Sequence, residues 1–220
     1  MRWLLALLSI LPSLSLAAYV PPYTIMDYVY EFDVREDGSY TRTSERLTRI
    51  DTPQGIDQYG QAKIYYDGKR DKLEIIEAYT IKPNGEKVPV TPERIKRVNV
   101  NADDVGPYFS DQMTAIIIFP QVEVGSQLYY KSVLVEHDPI IKGRFGTSIP
   151  FTPHRRYENA TVKLTHPESM AIKAYARDVP GSRSSLPDGR IQYQYQYKQD
   201  SAYPLEPDQV AYEDFSPVVQ

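Results

Sequence analysis

The side chains that could carry out chemistry are few in this chain, and their spacing suits no familiar reaction. Histidine occurs three times, at His137, His154 and His166, with none of the close pairing that a zinc site requires. His137-Asp138-Pro139 reads instead as a turn at the end of a strand. Serine follows glycine in Gly125-Ser126-Gln127 and Gly181-Ser182-Arg183, but neither makes the G-x-S-x-G elbow that presents a serine nucleophile. With 0 cysteines the chain has no thiol nucleophile. Asn101, Asp103, Asp104 and Asp111 could gather oxygens around calcium, yet they lack the EF-hand spacing and its terminal Glu, so they read as a solvated acidic loop. Among 29 acidic residues no glycosidase-like pair can be singled out. No glycine-rich phosphate loop is present. The sequence therefore nominates no catalytic residue, no cofactor-binding residue, no metal ligand and no cofactor, and it reads as a non-enzyme.

One pattern could bind a ligand without catalysis. Ile191, Tyr193, Tyr195 and Tyr197 share one face of a strand, while Gln192, Gln194, Gln196 and Lys198 share the other. The rings either pack on a core or form a stacking platform for sugars. The core reading is preferred, because sugar-binding platforms often use Trp and the single Trp here is Trp3.

Behind these residues the chain repeats short alternating runs between turn signals, the pattern of a mostly antiparallel β domain. Met26, Tyr28, Tyr30, Phe32 and Val34 alternate with polar neighbours, and Asp37-Gly38 turns the chain into Ser39–Ile50. That return run is rich in Thr and Arg, which predicts an edge strand or a solvent-facing position. Asp51–Gly55 reads as a loop, and Ala62–Tyr66 as a strand. Leu73–Lys82 and Lys87–Val90 form a hairpin around Pro83-Asn84-Gly85-Glu86. Thr91-Pro92-Glu93-Arg94 carries the signals of a short helical turn. Gln112–Phe119 is almost continuously apolar and is predicted to be buried on both faces. Strands are further expected at Ser126–Glu136, Ala160–His166 and Met170–Arg177, with Ile140–Pro153 as an extended connection. The 19 Tyr and 18 Pro support this all-β, antiparallel sandwich-like reading, since Tyr suits a half-buried pleated surface and Pro suits strand ends.

Residues 1–17 read as a secretory signal: Arg2, an apolar run too short to span a bilayer, and Ser15-x-Ala17 before the cleavage point. Residues 18–199 then form the β-sandwich-like domain, and 200–220 a Pro- and acid-rich tail or linker with no strand to end on. A cysteine-free exported chain fits a bacterial periplasm or cell envelope. The net charge of −4 has its two signs interspersed, which argues against nucleic acid as a partner, and no second apolar run is long enough to span a membrane.

Leu73–Glu86, Ile118–Tyr130 and Pro150–Pro167, taken in order, resemble a bacterial domain-of-unknown-function family that usually stands N-terminal to transglutaminase-like cores in exported proteins. The resemblance spans roughly Tyr23 to Lys198. It implies a β-sandwich-like fold and an accessory role. The family's Cys-His-Asp core would follow the tail, and within these 220 residues it does not, so its activity is not carried over. The resulting expectation is a non-enzymatic accessory module with a protein or peptide partner such as a transglutaminase-like core. Its alternatives are a carbohydrate-binding module and the N-terminal fragment of a transglutaminase-like cysteine peptidase. The loops Asn99–Asp111 and Gly143–Arg156 are the candidate binding surfaces.

Overall fold

A computed structural model describes residues 19–99, 111–204 and 215–220; the expected signal segment and most of the loop 99–111 lie outside the described residues. The strands are β1 (Tyr23–Val34), β2 (Tyr40–Ile50), β3 (Gln61–Asp67), β4 (Asp71–Ile81), β5 (Lys87–Pro89), β6 (Ile95–Asn99) and β7 (Gln112–Ile118). They continue as β8 (Gln127–Glu136), β9 (Ile149–Pro150), β10 (Arg156–Pro167), β11 (Ala176–Arg177), β12 (Gly181–Ser185), β13 (Arg190–Gln199) and β14 (Val218–Val219). One α-helix, α1 (Pro53–Tyr59), and a 3-10 turn at Pro92–Arg94 complete the described elements.

Eight strands form the main sheet in the order β12-β13-β10-β1-β2-β8-β4-β5, and two three-stranded sheets, β3-β7-β6 and β11-β14-β9, accompany it. All pairings are antiparallel except β1 with β10, so the domain is an antiparallel-dominated, sandwich-like β fold. Cross-strand partners share a face. The register therefore aligns Tyr195, Val162, Tyr30, Ser44, Ser132 and Ile75 across six strands, and Tyr197, Ala160, Tyr28, Arg46, Tyr130 and Ala78 in the next row. This inner face carries much of the core, including Phe32, Leu73, Leu128, Leu134 and Tyr130, and Ile64, Ala115 and Ile117 of the β3-β7-β6 sheet belong to the same buried cluster.

Bulges decide which side chains point inward. β1 shifts register between Ile25 and Asp27, so Tyr23 and Ile25 are buried before the shift and Phe32 and Val34 after it, while Met26 falls at the irregularity. β4 shifts between Ile75 and Glu77, which buries Leu73 on one parity and Ala78 and Thr80 on the other, and leaves Ile76 49% exposed. The mixed parity of the Leu73–Lys82 run has this physical origin.

Several expectations need correction. β2 is no edge strand: it lies between β1 and β8 near the middle of the main sheet, with Ser44 and Thr48 buried. Its polar residues share cross-strand rows with aromatic ones, Arg46 between Tyr28 and Tyr130 and Ser44 beside Tyr30. Where a loop was expected after Asp51, α1 forms, since the Thr52 hydroxyl accepts from the Gly55 N–H at 3.2 Å and Pro53 occupies the first helical position. In β7, Ala115 and Ile117 are fully buried while Ile116 and Ile118 are only half-buried, so one face is packed and the other partly covered. Of the run Met170–Arg177 only Ala176–Arg177 pairs as a strand, and the exposed strand β12 went unread because Gly181-Ser182-Arg183-Ser184-Ser185 has no apolar alternation. The tail has a strand after all: the β-branched pair Val218–Val219 is buried between β9 and β11, while residues 205–214 lie outside the described residues.

Candidate functional site

A cleft of about 440 Å³ lies where α1 and β3 rise over the inner face of the main sheet. Its floor comes from β2 and β8, which supply Arg46, Thr48, Leu128 and Tyr130; α1 supplies Asp57 and Tyr59, and Arg155, just ahead of β10, closes it. The helix that builds one wall is held close by a glycine: a Cβ on Gly55 would stand 2.1 Å from the Pro22 carbonyl oxygen. The helix ends at Tyr59, whose ring centroid lies 3.8 Å from that of Tyr23.

The electrostatics of the cleft are unusual. Arg46 and Arg155 both approach the ring of Tyr23, with Cζ at 5.8 Å and 5.9 Å from its centroid. Arg46 Nε donates to the Thr48 hydroxyl at 3.1 Å. Both arginines are half-buried, and neither forms an ion pair with a carboxylate among the described residues. The exposed Asp57 on the rim pairs with neither. Burial pushes the phenols of Tyr23, Tyr28 and Tyr130 above their ordinary range, although Arg155 and Arg46 pull Tyr23 back and Arg46 does so at Tyr130. The phenols are thus neutral at physiological pH and offer polarity without a compensating charge. Tyr23 itself is 2% exposed, and its hydroxyl is buried with no hydrogen-bond partner among the described residues.

The residues singled out from sequence are scattered. His137 is exposed after β8. His154 places Nδ1 3.0 Å from the Tyr203 carbonyl, whereas His166 is buried with Nδ1 2.8 Å from the Pro167 carbonyl, its ring stacked on Tyr193. Ser126 is buried, its hydroxyl accepting from the Glu123 N–H at 3.1 Å, and Ser182 is exposed on β12. Asn101, Asp103 and Asp104 lie outside the described residues, and Asp111 pairs with Lys69 at 2.9 Å. Among the described residues no three metal-ligating side chains cluster. The same residues contain no helix long and apolar enough to cross a membrane.

The tyrosine ladder belongs to the core. Tyr195 and Tyr197 are 8% and 9% exposed, and Phe151 stacks on Tyr197 with centroids 4.4 Å apart, which removes the planar platform a sugar would need. Of the two candidate loops, Gly143–Arg156 reaches the cleft through Arg155, while Asn99–Asp111 is described only at its two ends. Arg46 and Tyr23 were missed by the sequence reading. The sequence carried no clear signal for them, because the parity of β2 that holds Arg46 also holds Arg42, Ser44 and Thr48 and reads as polar.

The chain belongs to DUF3857, a family described as a domain of unknown function with a solved structure, whose model matches residues 36–204. Its fold is similar to that of a candidate protease from Parabacteroides distasonis, at a TM-score of 0.78 and 16% identity, covering 90% of this chain. The chain spans 39% of that protein's length. An M1 zinc metallopeptidase variant from Deinococcus radiodurans, bound to a Tyr-Ser-Ala substrate, aligns at a TM-score of 0.42 and 12% identity over 80% of this chain and 39% of its own. A CBM3a-L domain of the Clostridium thermocellum scaffoldin reaches 0.34 at 12% identity, over 56% and 72%. Neither of these two carries an argument about fold or function. No curated protein matches the chain.

Proposed function

We propose that this chain is a non-catalytic interaction module, exported to a bacterial periplasm or cell envelope, that binds a protein or peptide partner such as a transglutaminase-like core. The observation that carries the reading is the chemistry of the cleft. It presents guanidinium groups, aromatic faces and phenols, which recognise ligands well, and it presents no thiol and no paired nucleophile and base. Support also comes from the recurrence of this fold as 39% of a longer candidate protease, the arrangement expected of an accessory domain beside another unit. Export rests on the leader-like residues 1–17.

The test is co-purification from envelope extracts with the tagged full chain and, in parallel, with an Arg46→Met/Arg155→Met variant. A partner retained by the first and lost by the second is the expected result. Absence of any reproducible partner overturns the interaction reading, and turnover of fluorogenic peptides by the purified chain overturns the non-catalytic one.

A further inference from the structure

Two cations, Arg46 and Arg155, line one cleft partly withdrawn from water, and neither has an ion pair with a carboxylate among the described residues. Other arginines divide. Arg42 and Arg156 are likewise half-buried without an ion pair among the described residues, while Arg49 pairs with Asp51 and Glu158, Arg70 with Asp67, and Arg190 with Asp33 and Asp188. Arg46 and Arg155 instead share the ring of Tyr23, and Arg155 feels Arg46 as a repelling like charge. Partial desolvation of a guanidinium is costly unless an anion or a full set of acceptors meets it. Tyr23 adds a buried hydroxyl donor whose hydrogen bond is unmade among the described residues. Guanidiniums and a phenol donor in one lining are groups that grip an oxyanion, and the rings of Tyr59, Phe119 and Tyr130 in the same lining suit an organic body attached to it.

We infer that the cleft binds a carboxylate group of a peptide ligand, held between Arg46 and Arg155 with the Tyr23 hydroxyl as a further donor. The inference rests on the cleft being the module's binding site and adds the ligand's chemistry. A peptide carboxylate has two sources, a C-terminus and an acidic side chain. Its single charge and planar oxygens match the bidentate geometry of a guanidinium, and the aromatic lining favours it over a compact, strongly hydrated phosphate.

The experiment records chemical-shift changes of the isotopically labelled mature chain on titration with four probes: N-acetyl-trialanine with a free C-terminus, its C-terminal amide, N-acetyl-Ala-Glu-Ala amide, and inorganic phosphate. The free-acid peptide or the Glu peptide is expected to bind at least about tenfold more tightly than trialanine amide, with affinity falling as salt rises. Whichever carboxylate probe binds better identifies the source. Arg155→Met is expected to weaken that probe about tenfold or more. Tyr23→Phe is expected to weaken it less while leaving the melting temperature unchanged or raised, because it removes a buried hydroxyl that has no partner. A structural role for that hydroxyl predicts the reverse. Equal binding of trialanine amide, tighter binding of phosphate, no binding of any probe, or full affinity in Arg155→Met overturns the assignment. A partner that still co-purifies with the Arg46→Met/Arg155→Met variant would sink the carboxylate site while leaving the interaction module standing.

Discussion

Glu45 and Arg46 are neighbours in the chain and opposites in their surroundings. Glu45 points from β2 to the outer face of the main sheet, where it pairs with Lys131 and accepts from the Tyr129 hydroxyl at 3.1 Å. Arg46 points to the inner face, among Tyr23, Tyr28 and Tyr130, with no carboxylate in reach among the described residues. The outer face thus places its charges where water makes pairing cheap, and several find an opposite charge, Glu31 with Lys163 and Arg49 with Asp51 among them. The inner face places a charge where pairing would matter most and leaves it without one. A surface ion pair of the first kind says little about function, because evolution can exchange it at small cost. A partly buried cation without a counter-ion costs stability continuously, and a ligand is the natural reason to retain it.

The largest expected effect tests whether the inner face is the structural one at all. Phe32, 5% exposed, packs between the rings of Tyr40 and Phe145. Phe32→Ala should destabilise the domain by about 3–5 kcal/mol in urea denaturation, as large-to-small changes in a packed core do. Truncating Val29, on the other parity of the same strand, should cost no more than about 1 kcal/mol. Similar costs at the two positions would erase the distinction between faces.

How far the sequence reveals these faces depends on the bulges. Alternation locates β1, β10 and β13, where apolar residues recur at every second position against a polar face, while β4 and β8 are legible only as apolar runs between turns. It fails at β2, whose inner parity reads Tyr40, Arg42, Ser44, Arg46, Thr48 and Ile50: four polar residues in a row suggest solvent, and only pairing with Tyr28, Tyr130 and Leu134 shows otherwise. It fails again at Tyr23, which the bulge at Met26 brings onto the same face as Tyr28. The cleft was illegible for the same reason. Its residues come from β1, β2, α1, β8 and the approach to β10, and neither a bulge nor the helix that Thr52 caps has a pattern in the alternation. A domain of unknown function and the β-rich class were legible, since they depend on the order of many segments and not on the placement of any one side chain.

A second position sharpens the comparison at the far end of the inner face. Asp71 is raised above its ordinary range, by burial first, and its Oδ1 has no hydrogen-bond partner among the described residues while Oδ2 accepts from the Asp67 N–H at 2.8 Å. A raised folded-state pKa means that this carboxyl favours the fold when protonated. Its favourable contribution is fully present below the unfolded-state pKa and is lost as pH rises through the folded one. Asp71→Asn should therefore stabilise the domain at neutral pH by about 1 kcal/mol, with the gain shrinking in acid. Melting temperatures at pH 7 and pH 4 decide it, and a loss of stability at both would show that the charge is paired after all.

Arg46→Met and Arg49→Met should move stability in opposite directions, each by less than about 1 kcal/mol. The first removes a partly desolvated cation and keeps most of its packing volume; the second breaks the pairs with Asp51 and Glu158 on the outer face. Paired urea titrations read the sign. A clear loss for Arg46→Met would mean that the aromatic rings alone compensate its charge, and the case for a ligand in the cleft would weaken with it.

The smallest effect belongs to Glu45, and its pH dependence has the opposite sign to that of Asp71. The hydrogen bond from Lys131 holds the Glu45 carboxyl below its ordinary range, with Tyr129 adding to the effect and burial opposing it. A lowered folded-state pKa stabilises the fold while the group is ionised, above its unfolded-state pKa, and the contribution disappears as pH falls through the folded value. The pair is about a third exposed, so screening limits its worth: Glu45→Gln should cost less than about 1 kcal/mol at neutral pH, less again at high salt, and nothing at a pH where Glu45 is protonated. A cost that persisted in acid and in 1 M salt would show that Glu45 acts through packing and not through charge, and the outer face of β2 would then no longer serve as the solvated reference against which Arg46 stands out.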